Sequence, residues 1–317
     1  MTTALVIGCA GQDGAIITEQ LTIGGARVVG LSRQAVVTPA GERRPPICLD
    51  DRAGMRTLLE EFSPDEIYYL AAHHRSSENT GGGDTDNLTP SFDAHVSGLV
   101  AILSAMVTVR PAARLFYAGS SHVFGDPPSS PQDEETPFAP LSAYGISKAA
   151  GIQVCRLYRR EHGLFASTGV LYNHESPFRP PQFVSSRVVR GAVAIALGRA
   201  DRLILGRLDA TTDWGWAGDT VSAMRAILRL SAPDDFVVGT GEAHSVREFA
   251  AEAFRAVDLD AEGHLVEAPG IIRADGPTSI LLANPRKLMR ATGWRPGMSF
   301  ADMVAALVRA ELAKEGQ

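Results

Sequence analysis

The chain has 317 residues, with 30 basic against 36 acidic side chains and a net charge of −6. This length allows a large domain followed by a smaller second domain. The lack of a basic tract argues against nucleic acid as a binding partner. We expect no membrane-spanning segment, because no apolar run approaches the required length. Cys9, Cys48 and Cys155 lack metal-type spacing, which is typical of reduced core or near-core thiols in a cytoplasmic protein.

The first predicted strand, Ala4–Ile7, leads into a glycine turn and a helix over Ala15–Leu21. No basic region precedes the strand, so this opening is not interpreted as a signal peptide. Gly8 permits a tight turn, Gly11 lets the backbone approach a pyrophosphate, and Gly14 allows close helix packing. The turn predicts a Rossmann dinucleotide site, and its contacts are expected from Gly8, Gly11, Gln12, Asp13 and Gly14.

The second predicted strand, Arg27–Leu31, ends in Ser32 and Arg33. An NAD-preferring protein usually has Asp or Glu there for the ribose diol, whereas an arginine suits a 2′-phosphate. The strand end therefore favours NADP, with a solvated surface arginine as the alternative interpretation.

Alternation of strands and helices continues with a strand at Pro46–Leu49, a helix over Arg56–Phe62 and a strand at Glu66–Ala72. One of Asp50 and Asp51 is expected to face the adenine. Open parallel sheets bind ligands at the carboxyl ends of their strands. The strand-end residues expected at the cofactor are Leu70, Ala71 and Ala72.

A polar, glycine-rich stretch, Ser76–Thr89, predicts a mobile loop at the mouth of the site. His73 and His74 precede it as loop or pocket residues, and no carboxylate or thiol completes a metal set with them, so no metal is expected. A helix over Pro90–Val109 and a strand at Arg114–Ala118 follow. Prolines between residues 127 and 140 then predict an irregular crossing segment.

The most specific chemical pattern combines Ser120 and Ser121 with Tyr144 and Lys148. A Tyr-x-x-x-Lys spacing places the phenol and the ammonium one helical turn apart on one face. A tyrosine acting as a base near neutrality needs its pKa lowered from about 10 to near 7, about 4 kcal/mol of differential stabilisation, which a lysine and a nicotinamide cation can supply. The pattern predicts proton removal from a substrate hydroxyl coupled to hydride transfer, with a serine holding the oxygen.

Three strings in the second half are distinctive: Asn173-His174-Glu175-Ser176-Pro177, Thr212-Asp213-Trp214-Gly215, and Thr240-Gly-Glu-Ala-His-Ser-Val-Arg-Glu-Phe249. With Gly11-Gln12-Asp13-Gly14, they resemble the GDP-mannose 4,6-dehydratases, which are extended short-chain dehydrogenases, over nearly the whole chain. The resemblance implies an α/β fold with a doubly wound parallel Rossmann sheet, an NADP domain at 1–172 and a smaller α/β substrate domain at 173–317, with some segments returning to the sheet.

The resemblance also implies a homodimer or homotetramer that acts on a nucleotide-diphosphate sugar. In that family, the hexose is oxidised at C4, water leaves across C5–C6, and the hydride returns to C6. Tyr144 and Lys148 match the family's redox pair, and Ser120 matches its Ser or Thr. Further matched or neighbouring positions are assigned to cofactor binding: Arg33, Leu70–Ala72, His174 and Arg179. Those assigned to substrate binding are Ser121, Asn173 and Glu175.

Two departures from the family pattern affect the substrate side. His122 stands where the family has the glutamate that shuttles the C5 proton, and Thr212 replaces an arginine expected at the sugar diphosphate. Another cation must then neutralise the diphosphate, because unpaired charges in a pocket are costly. The candidates are Arg187, Arg207 and Arg273, with Arg207 preferred for its proximity to Thr212 in sequence.

A histidine at position 122 is compatible with several functions. An imidazole with a pKa near 6.5 suits proton transfer at C5. If residues 120–122 are extended, the side chains of Ser120 and His122 point to the same side of the segment, so both would face the pocket. Without the glutamate, NADPH-dependent reduction or epimerisation of a 4-keto sugar competes with dehydration, and His122 then only hydrogen-bonds or packs. A non-catalytic NADP(H)-binding scaffold or sensor is a third possibility, although such a protein needs no Tyr144–Lys148 pair.

Overall fold

The computed structural model describes residues 1–73, 84–268 and 279–315. The strands are β1 (Thr3–Ile7), β2 (Arg27–Leu31), β3 (Val36–Val37), β4 (Arg43–Arg44), β5 (Glu66–Tyr69), β6 (Arg114–Ala118), β7 (Phe165–Leu171), β8 (Asn173–Glu175), β9 (Leu203–Leu205), β10 (Thr211–Trp216), β11 (Asp235–Val238), β12 (Ala243–Ser245) and β13 (Leu265–Glu267). The α-helices are α1 (Gln12–Ile23), α2 (Arg52–Phe62), α3 (Leu88–Phe92), α4 (Gly98–Val109), α5 (Ala143–His162), α6 (Val184–Ala196), α7 (Ala217–Leu228), α8 (Val246–Arg255), α9 (Arg286–Thr292) and α10 (Phe300–Glu315).

The main sheet has eight strands in the order β11-β7-β6-β5-β1-β2-β3-β4. All neighbours from β11 to β2 are parallel, and β3 and β4 add an antiparallel hairpin at one edge. Because parallel strands share a direction, the carboxyl ends of β1, β5 and β6 meet at one edge of the sheet. The Rossmann α/β class predicted from the glycine turn is confirmed.

Helices cover both faces of this sheet. One apolar cluster joins the sheet to α2, α4 and α5, and a second joins it to α1, α7 and α9. A third cluster gathers α6, α8 and α10 around Trp214, beside a small sheet with the order β12-β10-β8. A further pair of strands, β9 and β13, is parallel. The described residues therefore pack into one cluster on each face of the main sheet and a third cluster around α6, α8 and α10. The strand β11 returns from the second half of the chain to the main sheet.

Two local predictions are wrong. Pro46–Leu49 is irregular rather than a strand, because Pro45 and Pro46 cannot donate ladder hydrogen bonds, and the hairpin β3–β4 takes the sheet edge instead. The loop predicted at 76–89 becomes helical at its end, with a 3₁₀ turn at Asp84–Asn87 followed by α3. Asp84 accepts a hydrogen bond from the Ala143 amide at 2.7 Å, which anchors this turn to the start of α5. Residues 74–83, with His74, lie outside the described part of the chain.

The helical stretch Asp84–Val109 is long and apolar enough to cross a membrane by length and composition alone, contrary to expectation. Core helices pass the same test. Here Leu99, Ile102 and Met106 are fully buried in the cluster shared with α2 and α5, so this stretch is part of the protein core. The three cysteines are free, with Cys155 buried, Cys9 half-buried and Cys48 exposed rather than near the core.

Candidate active site

The glycine turn joins β1 to α1 at the carboxyl edge of the sheet. Gly8 has a φ of +96°, and a Cβ there would lie 2.7 Å from the Ala71 nitrogen. At Gly14 a Cβ would lie 2.7 Å from the Cα of Cys9, so a side chain would separate the helix from the turn. Helix α1 begins directly after Gly11 without a side-chain cap, and its first amides face the end of β1. The turn has the geometry of an anion site.

Tyr144 and Lys148 lie one turn apart on α5, whose first turn is capped by Ser142. The Lys148 ammonium nitrogen donates to the Ala118 carbonyl at the end of β6, at 2.7 Å, and lies 5.6 Å from the centre of the Tyr144 ring. Ser120 hydrogen-bonds the Tyr144 side chain. The predicted cluster of serine, tyrosine and lysine is thus assembled at the same sheet edge as the glycine turn.

The electrostatics of this cluster differ from the sequence-based expectation. Burial raises the pKa of Tyr144 to about 12, and the hydrogen bond from Ser120 only partly offsets it. Burial also lowers the pKa of Lys148 to about 7. An amine whose positive charge is disfavoured by burial does not by itself produce a phenolate, so the protein's own groups do not supply the lowered tyrosine pKa that the Tyr-x-x-x-Lys pattern predicted.

His122 reaches the cluster by a different geometry from the one expected. Ser121–Val123 forms a 3₁₀ turn capped by Ser120, so the predicted extended segment is wrong. The turn nevertheless brings the His122 ring to 5.6 Å from the Tyr144 ring, edge to face. His122 is exposed, yet desolvation by the surrounding protein lowers its pKa, which favours the neutral form.

A second histidine, His95, lies on the other side of Tyr144 and was missed by the sequence analysis. Its fully buried ring is 5.2 Å from the Tyr144 ring and belongs to a π-helical turn, Asp93–Ser97. Its Nε2 accepts the His73 backbone amide at 3.0 Å, and its Nδ1 is 2.7 Å from the Ser147 hydroxyl. Nothing in a run of helical residues marks this position, because only the tertiary fold brings His95 to the tyrosine.

An ion pair joins the glycine turn to the substrate half. His174 Nε2 lies 3.0 Å from both carboxylate oxygens of Asp13, and His174 Nδ1 lies 2.6 Å from the Tyr172 carbonyl. Gln12 adds a hydrogen bond to the His174 carbonyl at 3.0 Å and receives one from Ser176 at 2.9 Å. Asp13 and His174 were each assigned to the cofactor, but their pairing was not foreseen.

Basic side chains cluster where β2 ends. Arg33 is exposed beside the turn that Ser32 closes, and the hairpin that follows carries Arg43 and Arg44. Burial raises the pKa of the Cys9 thiol in the glycine turn, and Arg43 is close enough to oppose that rise. Asp51 is used as the cap of α2, accepting from the Gly54 amide at 3.0 Å, which leaves Asp50 as the adenine candidate.

The residues predicted to bind substrate differ in burial and in their hydrogen-bond partners. Glu175 is buried, accepts from Ser185 at 2.7 Å and pairs with Arg179 at 3.2 Å, and all three residues line a cavity between β8, α6 and α10. Arg187 on α6 donates to the Ile204 carbonyl at 2.8 Å. Arg207 pairs with Asp209 on the surface at 3.1 Å. Two more candidates, Ser121 and Asn173, are buried and half-buried, and Arg273 lies outside the described residues.

A glycine turn and a Ser-Tyr-Lys cluster on a parallel sheet define the short-chain dehydrogenase class. Comparison with known proteins agrees. The family profile described as GDP-mannose 4,6 dehydratase matches residues 5–307. The chain is 34% identical to GDP-mannose 4,6 dehydratase 1 of Arabidopsis thaliana, across 98% of this chain and 89% of the relative. It therefore belongs to the GDP-mannose 4,6-dehydratase family, as the resemblance implied.

Solved structures support the fold. The UDP-glucose 4-epimerase of Thermus thermophilus, solved with NAD, superposes with a TM-score of 0.81 at 26% identity, covering 98% of this chain and 99% of that one. RMD from Pseudomonas aeruginosa, solved with NADPH, superposes with a TM-score of 0.85 at 20% identity, covering 99% and 100%. One of these proteins binds NAD and the other NADPH, so the fold alone does not select between the two cofactors.

Proposed function

We propose that the protein is an NADP-dependent nucleotide-sugar 4,6-dehydratase that acts on a GDP-mannose-type substrate. The observation that carries the proposal is the assembly of Ser120, Tyr144 and Lys148 beside the glycine turn, with His122 against the tyrosine ring. Membership of the dehydratase family over residues 5–307 supports it. Residues 1–172 mainly bind the cofactor in this proposal, and residues 173–317 mainly bind the sugar nucleotide.

The glycine turn fits a dinucleotide. Gly8 and Gly14 let the turn pack so closely against Ala71 and Cys9 that a Cβ would collide, whereas Gly11 is exposed and a Cβ there would meet only the Gly8 carbonyl at 3.4 Å. The exposed start of α1 at Gly11 is where a pyrophosphate would approach the backbone. Lys148 donates at the end of β6, within reach of a ribose next to Tyr144. The nicotinamide ring, when bound, accepts hydride from C4, returns it to C6 and adds positive charge near the phenol.

The chain's own groups handle the protons. Tyr144 takes the proton of the C4 hydroxyl, while Ser120 holds that oxygen. Neutral His122 takes the proton from C5, which the C4 ketone has acidified, and passes it to the hydroxyl leaving C6 as water. Passing that proton to the departing water returns His122 to its neutral form. When C6 is reduced, C5 takes up a proton that comes from solvent, and Tyr144 releases the C4 hydroxyl proton to solvent, so both side chains end the cycle as they began.

A second function, reduction or epimerisation of a 4-keto sugar, is favoured by one observation: an imidazole replaces the family's glutamate at residue 122. Incubation with GDP-mannose and NADP separates the two. Dehydration predicts a 4-keto-6-deoxy sugar carrying solvent deuterium at C5. Consumption of NADPH with a 4-keto sugar, without dehydration of GDP-mannose, would establish the reductase, and absence of all turnover despite cofactor binding would support a scaffold or sensor.

The preference for NADP rests on the arginines at the end of β2. Replacing Arg33 with Asp should weaken NADP binding by about tenfold or more and relatively favour NAD, because a carboxylate repels the 2′-phosphate and accepts from the ribose diol. Arg44→Asp is the matched control, since Arg44 already pairs with Glu42 beside it and with Glu61 of α2. Calorimetric titration gives both constants. A wild type that already prefers NAD would refute the assignment of Arg33.

Arg187 is the better diphosphate candidate once the surface pairing of Arg207 with Asp209 is known. Arg187→Ala should weaken GDP-mannose binding by about tenfold or more, because a charge-assisted hydrogen bond to phosphate is lost. Arg207→Ala is the matched control and should bind normally. Equal affinities in wild type, Arg187→Ala, Arg207→Ala and Arg273→Ala proteins would mean that the substrate is not a diphosphate sugar.

A homodimer or homotetramer is also part of the proposal. The resemblance to the dehydratase family supports association between copies, which light scattering after gel filtration would measure. Location in the cytoplasm remains a prediction.

A further inference from the structure

The hydrogen bonds of His174 define its protonation state. A backbone carbonyl, that of Tyr172, faces Nδ1 at 2.6 Å, and the Asp13 carboxylate faces Nε2 at 3.0 Å. The carbonyl only accepts hydrogen bonds, and the carboxylate does the same when it is ionised. Burial opposes ionisation of Asp13, but His174 outweighs burial and lowers the pKa of that carboxyl, so both ring nitrogens carry a proton. Both side chains are largely buried, with exposures of 12% for His174 and 17% for Asp13. The geometry therefore requires an imidazolium paired with a carboxylate.

The position of this pair links three parts of the site. Asp13 lies in the first turn of α1, where the pyrophosphate of a dinucleotide is expected, while His174 lies on β8 of the small sheet, paired with Gly215 of β10. The Asp13 carboxylate also acts on the redox pair, because its charge opposes ionisation of Tyr144 and favours the protonated form of Lys148. A bare carboxylate at this point would repel the pyrophosphate and oppose a phenolate.

We propose that His174 is a charged positioning residue that neutralises Asp13 and clasps β8 to the glycine turn, so that dinucleotide affinity depends on its protonation. The proposal rests on the proposed function in requiring that the turn binds a dinucleotide. The Gln12 contacts with the His174 carbonyl and the Ser176 hydroxyl make up the rest of the clasp.

The charged groups around the pair set the sign of the pH effect. Desolvation and Arg179 oppose the imidazolium, but Asp13 outweighs them and raises the pKa of His174 above its ordinary value. Within the described part of the chain, the charge of Asp13 also acts on Tyr144 and Lys148. Because the folded-state pKa is raised, the clasp is complete below the ordinary histidine pKa of about 6.5 and is lost as the pH rises through the folded value. Dinucleotide affinity should fall over the same interval.

The test measures NADP affinity of the whole protein as a function of pH, together with the imidazole ¹⁵N shifts of His174. We expect both His174 nitrogens to remain protonated at pH values above the ordinary histidine pKa of about 6.5. His174→Gln should bind NADP about tenfold or more weakly and lose the pH step, because Asp13 is left uncompensated. The double variant Asp13→Asn with His174→Gln should recover most of the affinity, since no bare charge remains. His162→Gln is the matched control and should behave as wild type.

The outcomes separate the two proposals. A neutral His174 tautomer near neutral pH, or a double variant no tighter than His174→Gln, would overturn the charge role and leave only a structural one. Failure of wild type to bind either dinucleotide at any pH would instead refute the proposed function, while the ¹⁵N shifts would still decide the protonation state.

Discussion

Replacing Tyr144 with Phe is expected to lower turnover of GDP-mannose by about 10²–10⁴-fold, the usual effect of losing an acid–base group. The phenol is the group that takes the C4 hydroxyl proton, and Ser120 cannot replace it because a serine hydroxyl is a far weaker acid. Steady-state kinetics with product identification measures the effect. Affinity for NADP should change little, because Lys148 and the glycine turn are untouched.

Tyr158→Phe is the matched control on the same helix. Its hydroxyl lies 2.7 Å from that of Ser104, away from the redox pair, so the change removes one hydrogen bond and should leave turnover unchanged. Near-normal turnover in Tyr144→Phe would contradict the assignment of the proton acceptor. Because burial holds the pKa of Tyr144 at about 12 in the protein alone, a titration of the phenol with NADP present should reveal a marked lowering of its pKa.

His122→Ala is expected to abolish elimination while leaving hydride transfer from C4 measurable. The imidazole is the proposed carrier of the C5 proton, and its removal should cost about 10²–10⁴-fold in dehydration. Reduced nicotinamide would then accumulate in a single turnover, because hydride cannot return to C6. In the wild type, turnover should fall at acid pH below the ordinary histidine pKa of about 6.5, since the lowered pKa of His122 places its protonation there.

The reverse substitution distinguishes the two enzymatic functions. His122→Glu restores the residue of the family pattern, and a gain of dehydration from a wild type that lacks it would show that this chain performs another reaction on keto sugars. Full dehydratase turnover in His122→Ala would remove the imidazole from the mechanism altogether. A role limited to orienting the substrate hydroxyl would weaken C4 hydride transfer and elimination together.

Local sequence determined the first half of the sheet and the redox pair. Ala4–Ile7, the glycine turn and Arg27–Leu31 were predicted within a residue or two, because apolar runs followed by glycines leave the backbone few alternatives. Tyr144 and Lys148 were predictable because helical spacing alone puts them on one face. Pro45 and Pro46 are visible in the sequence as well, and their missing N–H groups argue against the strand at 46–49.

Tertiary structure alone decided what surrounds those residues. The His122 ring reaches Tyr144 through a 3₁₀ turn and not through strand alternation, and His95 reaches it from a helix 49 positions earlier in the chain. The clasp between Asp13 and His174 joins residues 161 positions apart. The pKa values of the redox pair were also decided by the tertiary structure. The sequence spacing predicted a lysine that lowers the pKa of Tyr144, whereas burial raises the pKa of Tyr144 and lowers the pKa of Lys148. Desolvation depends on everything packed around a group, and no local pattern of residues encodes it.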